Sequence, residues 1–426
     1  MSLPDLEEIS VAVIGLGYVG LPLAVSLSTR FPVVGFDLDT DRVAELSVGV
    51  DRTGEVPAAG LEGCGVRWTS RADDMRGVNV FIIAVPTPVD AENQPDLSAV
   101  LAACRTVGGV LSEGAVVIVE STVHPGVTEQ VCGPELAQAS GLACGDGFFL
   151  GYSPERVNPG DHEHTVDKIT KVVAGQTPEV AQFLAELYGA ITNGNVFVAR
   201  DIRTAEAAKI IENAQRDINI AFINEMAMIF EKMGVSTHDV LAAAATKWNF
   251  LDFQPGLVGG HCIGIDPYYL AHAARLAGHD PAIVLAGRQI NDGMAGFAAE
   301  RISSRLPESA RVLVLGLTFK ENVSDLRNSK VAELIASLSA LGHAVEVHDS
   351  RADRAEALEM YGIELTGDLA DCREFDAVVG AVAHDEYRNL GVDEVMALIK
   401  PAGLCADLKG IWRHHALPPE VGYWQL

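Results

Sequence analysis

The sequence predicts an α/β fold: two Rossmann-like, doubly wound parallel-sheet domains joined by an all-helical middle domain with a long central helix. Three observations predict it. Short apolar runs alternate with helical stretches over the first 200 residues, and the alternation returns near residue 311. Between them, residues 201–233 contain neither Gly nor Pro. Alternation of this kind is typical of parallel sheets whose strands are buried on both faces.

Five strands are predicted in the first domain, which we assign to residues 1–200. Each run is short, apolar throughout, and bounded by Gly, Pro or Asp, as fully buried strands are. The predicted strands are Val11–Gly15, Val33–Asp37, Val80–Val85, Val116–Glu120 and Phe148–Tyr152.

The middle domain is assigned to residues 201–304 and is predicted to be helical. Its long helix covers Asp201–Met233, and Ser236 is expected to cap the helix that follows. The stretch Pro267–Arg301 is also predicted to be helical, with breaks near Gly278 and Gly293.

The last domain, residues 305–426, is predicted to be a second, smaller Rossmann-like domain. It returns to the pattern of buried strands followed by helices. Its predicted strands are Arg311–Leu317, Ala344–Asp349, Ala377–Val382 and Gly403–Asp407.

Composition excludes several kinds of partner. The chain has 58 acidic and 31 basic residues, and its net charge of −27 argues against nucleic acid or an anionic membrane. Seven cysteines, an odd number without a Cys-x-x-Cys pair, suggest neither a metal site nor a disulfide framework. The first residues lack a signal-peptide pattern, and the uncharged run Val11–Ser28 fits a strand, a turn and a helix better than a membrane span. A cytoplasmic protein is expected.

A dinucleotide-binding fingerprint opens the chain. Gly15, Gly17 and Gly20 follow an apolar strand, where they allow a tight turn, a close approach of pyrophosphate and close packing of helix on strand. Asp37 ends the second strand and would accept hydrogen bonds from ribose hydroxyls, which favours NAD over NADP. Arg42 lies close enough in sequence to weaken that preference. The alternative is a glycine-rich turn in an ordinary α/β domain.

Two further loops follow predicted strands at the sheet edge where open α/β sheets bind ligands. Pro86 and Thr87 lie in the first loop, and Thr122 lies in the second. The two threonine hydroxyls are candidate contacts for cofactor or substrate. Turn chemistry alone would also place Ser, Thr and Pro there.

Cys262 is the candidate nucleophile. Gly259 and Gly260 precede it in a predicted loop between helices, which would expose both backbone and thiol. A single cysteine is more often a small buried apolar side chain than a nucleophile. The neighbouring His261 could act as a base, but we expect it to have a structural role.

The long helix carries polar residues along one face. Lys209 and Asn213 are four residues apart, and Asp217 continues the line. They could line a site or form a solvated stripe with salt bridges. If they line a site, Lys209 could favour the thiolate and stabilise an oxyanion. A hydride acceptor together with a thiol would oxidise an aldehyde through a thioester.

These motifs together resemble the UDP-glucose/GDP-mannose dehydrogenase family over essentially the whole chain. The matching stretches are 13–22, 120–126, 152–160, 205–213, 259–267, 315–322 and 325–329. The resemblance implies oxidation of the C6 hydroxyl of a nucleotide sugar to a carboxylate with two NAD per turnover. It also implies a homodimer.

The resemblance assigns a role to each matching residue. Cys262 resembles the nucleophile, while Lys209, Asn213 and Asp266 resemble the polar groups around the reacting carbon. Thr122 and Glu155 resemble the residues that position water for base catalysis and thioester hydrolysis. The implied cofactor contacts are Gly15, Gly17, Tyr18, Val19, Gly20, Asp37, Arg42, Pro86, Thr87, Thr122, Lys320 and Arg327. The implied substrate contacts are Glu155, Arg156, Val157, Asn158, Lys209, Asn213, Phe250, Gly259, Phe319, Lys320 and Arg413.

The prediction of the substrate rests on fewer matching stretches of sequence. Residues 246–251, 256–262 and 158–161 resemble most the branch that oxidises UDP-N-acetylglucosamine or its galacto epimer. Gln254 departs from relatives that carry a basic residue just before Pro255. UDP-N-acetylmannosamine, UDP-glucose and GDP-mannose are alternative substrates. A non-catalytic nucleotide-sugar-binding protein is a remote alternative.

Overall fold

The computed structural model describes residues 3–156 and 167–426, which form two compact units. The first unit comprises Met1–Glu212 and Tyr268–Asp280, and the second comprises Asn213–Pro267 and Pro281–Leu426. The predictions made on Val157, on Asn158 and on the 158–161 motif lie outside the described residues.

An eight-stranded sheet is the core of the first unit. Its strands are β1 Val11–Ile14, β2 Val33–Phe36, β3 Val66–Thr69, β4 Val80–Ile83, β5 Ala115–Val119, β6 Phe148–Tyr152, β7 Lys171–Gly175 and β8 Val196–Val198. Their spatial order is β3-β2-β1-β4-β5-β6-β7-β8. Neighbouring strands are parallel except β6 and β7, which pair antiparallel.

Burial on both faces explains the apolar composition of the inner strands. Along β1, Val11 and Val13 belong to one apolar core, whereas Ala12 and Ile14 belong to the core on the opposite face. The five predicted strands are confirmed. The prediction missed β3, β7 and β8; in β3 an exposed Arg67 interrupts the apolar pattern at the sheet edge.

Helices connect these strands. They are α1 Gly20–Ser28, α2 Thr40–Ser47, α3 Ala58–Leu61, α4 Ser98–Gly108, α5 Gly133–Ser140 and α6 Pro178–Gly189. The predicted long helix is confirmed as α7 Ile202–Met233, and the boundary between the two units falls within it, after Glu212.

Three more helices follow α7: α8 Thr237–Ala244, α9 Asp266–Leu276 and α10 Ala282–Ser303. Ser236 caps α8 as predicted, because its hydroxyl accepts a hydrogen bond from the backbone N–H of Asp239 at 3.3 Å. The break near Gly278 is confirmed. The break predicted near Gly293 is wrong, because α10 runs through it. A helical glycine costs only about 1 kcal/mol, which the packing of a 22-residue helix offsets.

A second sheet is the core of the second unit. Its strands are β9 Arg311–Leu315, β10 Ala344–His348, β11 Phe375–Gly380, β12 Ile399–Asp407 and β13 Gly422–Gln425. The order is β10-β9-β11-β12-β13, and every neighbouring pair is parallel. The connecting helices are α11 Lys330–Ala340, α12 Arg354–Tyr361, α13 Asp385–Arg388 and α14 Val392–Leu398. The second Rossmann-like domain is therefore confirmed, although β13 was missed. In the described part of the chain no helix is long and apolar enough to cross a membrane.

Candidate active site

The three fingerprint glycines form a bare turn between β1 and α1. Gly15 has a φ of +93°, and a Cβ there would lie 2.7 Å from a backbone oxygen of the loop after β4. A Cβ on Gly20 would lie 1.8 Å from the carbonyl oxygen of Gly15, so neither position admits a side chain. No atom lies within 4 Å of the Cβ position of Gly17, which leaves its backbone open. Tyr18 and Val19 complete this turn at the N-terminus of α1, where N–H groups favour an anion.

Asp37 and Arg42 both hold the same turn. Asp37 is half-buried, and its two carboxylate oxygens accept hydrogen bonds from the backbone N–H groups of Leu16 at 2.8 Å and Asp39 at 3.0 Å. Arg42 is only 4% exposed. Its Nε donates to the carbonyl of Leu16 at 2.9 Å, and its Nη2 donates to Asp51 at 2.7 Å. The guanidinium therefore faces inward.

The loops after β4 and β5 are tied together. The hydroxyl of Ser121 donates to the carbonyl of Val85 at 2.7 Å. Thr87 and Thr122 are half-buried on these two loops, and Pro86 is exposed. The two predicted hydroxyl contacts thus lie on neighbouring loops at the carboxyl ends of the strands.

A buried carboxylate holds the loop that carries Thr122. Glu206, on α7, accepts hydrogen bonds from the backbone N–H groups of Gly126 at 2.5 Å and Thr128 at 2.9 Å. Burial raises the pKa of Glu206 to about 7, although these N–H groups oppose the shift. The sequence prediction missed this residue, because a glutamate inside a helix carries no signal of a distant loop.

Glu155 lies in a buried cluster of charged side chains in the first unit. The ammonium nitrogen of Lys171 lies 2.9 Å from Glu120 Oε2 and 3.6 Å from Glu155 Oε2. The hydroxyl of Tyr188 donates to the other oxygen of Glu120. Burial raises the pKa of the Glu120 carboxyl, and Lys171 opposes that shift. One buried cation thus lies between two carboxylates.

Two further predicted residues, Lys209 and Arg156, belong to the first unit. Lys209 lies on α7, and Arg156 contacts this helix. Lys209 is 9% exposed. The guanidinium of Arg156 forms an ion pair with Glu212 at 2.9 Å, and its Nη1 donates to the carbonyl of Thr170 at 3.0 Å.

In the second unit, several predicted polar residues contact one another or the residue Cys262. The Asn213 amide donates to Asp266 at 2.5 Å, and both side chains are buried. The backbone N–H of Asp266 donates to the carbonyl of Cys262 at 2.9 Å. The Nδ1 atom of His261 lies 3.1 Å from the sulfur of Cys262, and its Nε2 lies 3.6 Å from Asp325.

The glycines before Cys262 let its loop pack closely. Gly260 has a φ of +82°, and a Cβ there would lie 2.7 Å from the ring of Phe319. A Cβ on Gly259 would lie 2.6 Å from the carbonyl oxygen of Asn328. The same oxygen accepts a hydrogen bond from the backbone N–H of Gly260 at 3.2 Å. Side chains at either glycine would displace the loop that carries the thiol.

Gly259, Phe319 and Lys320 line one small cavity in the second unit. Lys330 and Lys409 also line it, and the sequence prediction missed both. Ser329, which caps α11, lies at its wall. The Lys330 ammonium is paired with Asp292 at 3.0 Å and Glu333 at 2.6 Å. Lys320 and Lys409, beside a helix N-terminus, suit the phosphates of a nucleotide, although Glu321 also lines the cavity.

Other predicted residues lie outside the described lining of this cavity. Arg327 forms a two-pronged ion pair with Asp325, with a shortest contact of 2.6 Å. Phe250 is half-buried, and Arg413 is exposed. Gln254 is exposed and donates to Asp252 at 2.6 Å.

Comparison with known families decides the identity of the chain. Residues 9–192 match the NAD binding domain of the UDP-glucose/GDP-mannose dehydrogenase family, residues 203–293 match its central domain, and residues 313–414 match its UDP binding domain. The chain belongs to the UDP-glucose/GDP-mannose dehydrogenase family.

Relatives cover nearly the full chain. The protein CapL of Staphylococcus aureus is 48% identical over 423 residues, covering 98% of this chain and 99% of that protein. A UDP-N-acetyl-D-glucosamine 6-dehydrogenase of Pseudomonas aeruginosa is 48% identical over 411 residues, covering 95% and 97%. The solved structure of a UDP-D-ManNAc dehydrogenase from Pyrococcus horikoshii matches with a TM-score of 0.88 at 29% identity, covering 98% and 99%.

Membership makes this chain an NAD-dependent nucleotide-sugar dehydrogenase that acts on a UDP-sugar. The general mechanism of the UDP-glucose/GDP-mannose dehydrogenase family proceeds through a cysteine thioester. The turn at Gly15 fits NAD, because its three glycines leave the backbone open, it precedes a helix N-terminus and it has a carboxylate beside it.

Proposed function

We propose that the chain oxidises the C6 hydroxyl of UDP-N-acetylglucosamine to the carboxylate, with two NAD reduced per sugar. The observation that supports this substrate is the 48% sequence identity to the Pseudomonas aeruginosa enzyme whose name specifies this sugar. Cys262, in its glycine loop, supplies the thiol that this four-electron oxidation needs.

The proposed chemistry uses residues of this chain in order. NAD, when bound, accepts the hydride lost in each of the two oxidations. After the first oxidation the Cys262 thiolate attacks the C6 aldehyde, so that a C–S bond forms and the carbonyl becomes an alkoxide. We assign stabilisation of this alkoxide to Lys209 and the Asn213 amide, which Asp266 orients, and the accompanying proton transfers to Lys209 and Asp266, by their places in the family motifs.

The second oxidation leaves a thioester, which water hydrolyses. Thr122 and Glu155 are proposed to orient that water, and the Glu155 carboxylate would take its proton. The C–S bond then breaks, and Cys262 leaves as a thiolate. Covalent attachment between the two oxidations keeps a reactive aldehyde from escaping.

The cofactor contacts are proposed along the turn after β1 and the loops after β4 and β5. Asp37 would hydrogen-bond the ribose hydroxyls and repel a 2′-phosphate. Arg42 supports the preference for NAD over NADP instead of weakening it, because its guanidinium is buried against Leu16 and Asp51. Further proposed contacts are Tyr18, Val19, Pro86, Thr87, Thr122, Lys320 and Arg327.

The nucleotide end of the substrate is proposed to occupy the cavity of the second unit. Lys320 and Lys409 provide positive charge there for the diphosphate. Phe319 and Gly259 would line the same site. The remaining proposed substrate contacts are Glu155, Arg156, Val157, Asn158, Lys209, Asn213, Phe250 and Arg413.

A cytoplasmic homodimer is also proposed. Large apolar side chains of the second unit are exposed, including Phe222 at 55%, Trp248 at 91% and Ile283 at 72%. Such side chains favour burial against another chain. Light scattering would give the mass, and a monomer at micromolar concentration would contradict the dimer.

The proposed domains are residues 1–200, 201–304 and 305–426.

A substrate panel tests the proposed function. The purified chain is incubated with NAD and, separately, with UDP-N-acetylglucosamine, its galacto and manno epimers, UDP-glucose and GDP-mannose. We expect the highest kcat/KM with UDP-N-acetylglucosamine and two NADH formed per sugar consumed. A higher kcat/KM with the manno epimer would favour the activity named for the Pyrococcus protein.

A further inference from the structure

The geometry points to His261 as a catalytic base that keeps Cys262 as a thiolate, with Asp325 stabilising the imidazolium. The inference rests on the proposed role of Cys262 as nucleophile and adds a residue to it. The three side chains form a series: the sulfur contacts one imidazole nitrogen, and the carboxylate lies near the other.

The imidazole has a defined place in this series. Its Nδ1 lies 3.1 Å from the sulfur, and its Nε2 lies 3.6 Å from Asp325 Oδ2. The His261 side chain is 26% exposed and that of Asp325 only 3%. The ring of Phe319 packs beside the imidazole at a centroid distance of 6.0 Å. A thiol, an imidazole and a carboxylate in this order are the arrangement that activates nucleophiles in many enzymes.

Charged groups of the same unit flank the imidazole. Asp325 Oδ2 lies 3.6 Å from its Nε2. Arg327 shares that carboxylate, which weakens the attraction without displacing the imidazole from it. Asp266 follows four residues after Cys262, and its carboxylate is occupied by Asn213. The imidazole therefore lies between the Cys262 sulfur and a carboxylate that it shares with Arg327.

The proton balance is simple. The Cys262 proton moves to Nδ1 of His261, and the imidazolium keeps the Nε2 proton that faces Asp325. The thiolate then attacks the aldehyde carbon. When water later breaks the C–S bond, the sulfur leaves as a thiolate beside the same imidazolium, so the pair is restored without another proton transfer.

Alkylation of individual cysteines in the full chain tests this inference apart from turnover. Iodoacetamide is added at pH 5.5 to 10, and peptide mass spectrometry follows the rate at Cys262. The variant His261→Asn keeps an amide near the Nδ1 position but cannot take up a proton. Asp325→Asn removes the carboxylate, and the exposed His279→Asn is the matched control.

Other cysteines serve as internal references. Cys144 is exposed and should react at the same rate in every variant. Cys104 and Cys132 are fully buried, so their reaction would reveal an unfolded variant. Asp325→Asn tests the same series independently if His261→Asn fails this folding check.

We expect Cys262 to react at least about tenfold more slowly at pH 6.5 in His261→Asn than in the wild type, with the two rates converging above pH 9. The alkylation rate of Cys262 in Asp325→Asn should lie between the rates in the wild type and in His261→Asn. Superimposable pH profiles for the wild type and both variants would overturn the inference. If Cys262→Ser retained full turnover, the proposed nucleophile would fail, whatever the alkylation profiles show.

Discussion

A single half-buried carboxylate sets the proposed cofactor preference. Asp37 lies beside the turn that would hold the pyrophosphate, and Asp37→Ala removes the carboxylate that is proposed to accept hydrogen bonds from ribose. We expect kcat/KM for NAD to fall about tenfold, the equivalent of about 1.4 kcal/mol. The loss for NADP should be smaller, because the repulsion of its 2′-phosphate also disappears. Steady-state kinetics with both cofactors, and the surface variant Asp41→Ala as control, measure this. Equal falls in kcat/KM for NAD and NADP would contradict the role proposed for Asp37.

Two glycines offer a matched pair of alanine substitutions. Gly260→Ala places a methyl 2.7 Å from the Phe319 ring at a φ of +82°, so the loop before Cys262 must shift. We expect kcat to fall at least about tenfold, since misplaced reacting groups cost that much or more. Gly293→Ala meets no atom within 4 Å in the middle of α10 and should raise stability by about 1 kcal/mol with unchanged kcat. Turnover and thermal unfolding measure both, and an active Gly260→Ala enzyme would contradict the packing argument.

At the scale of elements, β7 contributes a buried cation that holds two other segments. Lys171 contacts Glu120 after β5 and Glu155 after β6. Lys171→Met leaves two buried carboxylates without their cation, which should cost about 3–5 kcal/mol. The double variant Lys171→Met/Glu120→Gln removes one of these charges and should recover part of the loss. Thermal unfolding measures all of them, with the exposed Lys168→Met as control. A Lys171→Met midpoint equal to that of the wild type would show that the cluster does not stabilise the fold.

The contact between α7 and the loop after β5 is expected to depend on pH. Glu206 has a folded pKa of about 7 against an ordinary 4.5, so its protonated form is favoured by folding. Its contribution is fully present below about pH 4.5 and is lost as pH rises through about 7, a change of about 3 kcal/mol. Glu206→Gln cannot titrate, so the wild type should lose stability relative to it between pH 5 and pH 8. Urea unfolding at both pH values measures the difference, and Glu225→Gln on the exposed side of α7 is the control. If the difference in unfolding free energy between the wild type and Glu206→Gln were the same at pH 5 and pH 8, the raised pKa of Glu206 would be contradicted.

Most strands buried on both faces were predicted from the sequence, but β7 was missed although it is buried, because its apolar run is only three residues long and follows the charged Lys171. In β1, Val11 and Ala12 face different cores, so every position is apolar and the strand is recognisable. The edge strands β3 and β13 were missed because solvent on one side permits polar residues, and β8 was missed because it is only three residues long. The error at Gly293 has the opposite cause: propensity alone suggested a break that tertiary packing does not allow.

At the scale of the whole molecule, motifs predicted which residues matter, but not how their side chains are paired. The glycine turn and Asp37 could be predicted because local backbone geometry dictates them. The inward orientation of Arg42 depends on Asp51 in a separate loop. Likewise, the contact of His261 with Asp325 joins residues that are 64 positions apart (325 minus 261). Side-chain pairing of that kind is settled by tertiary packing and leaves no local signal.

Trapping of the covalent intermediate tests most directly whether Cys262 carries the sugar between two oxidations. The variant Glu155→Gln, in which thioester hydrolysis should be slowed, is mixed with UDP-N-acetylglucosamine and NAD, quenched in acid and digested. We expect two NADH per chain in a rapid burst, and a peptide containing Cys262 that is heavier by the acyl group. No adduct on Cys262, together with full uronate formation by Cys262→Ser, would contradict the mechanism.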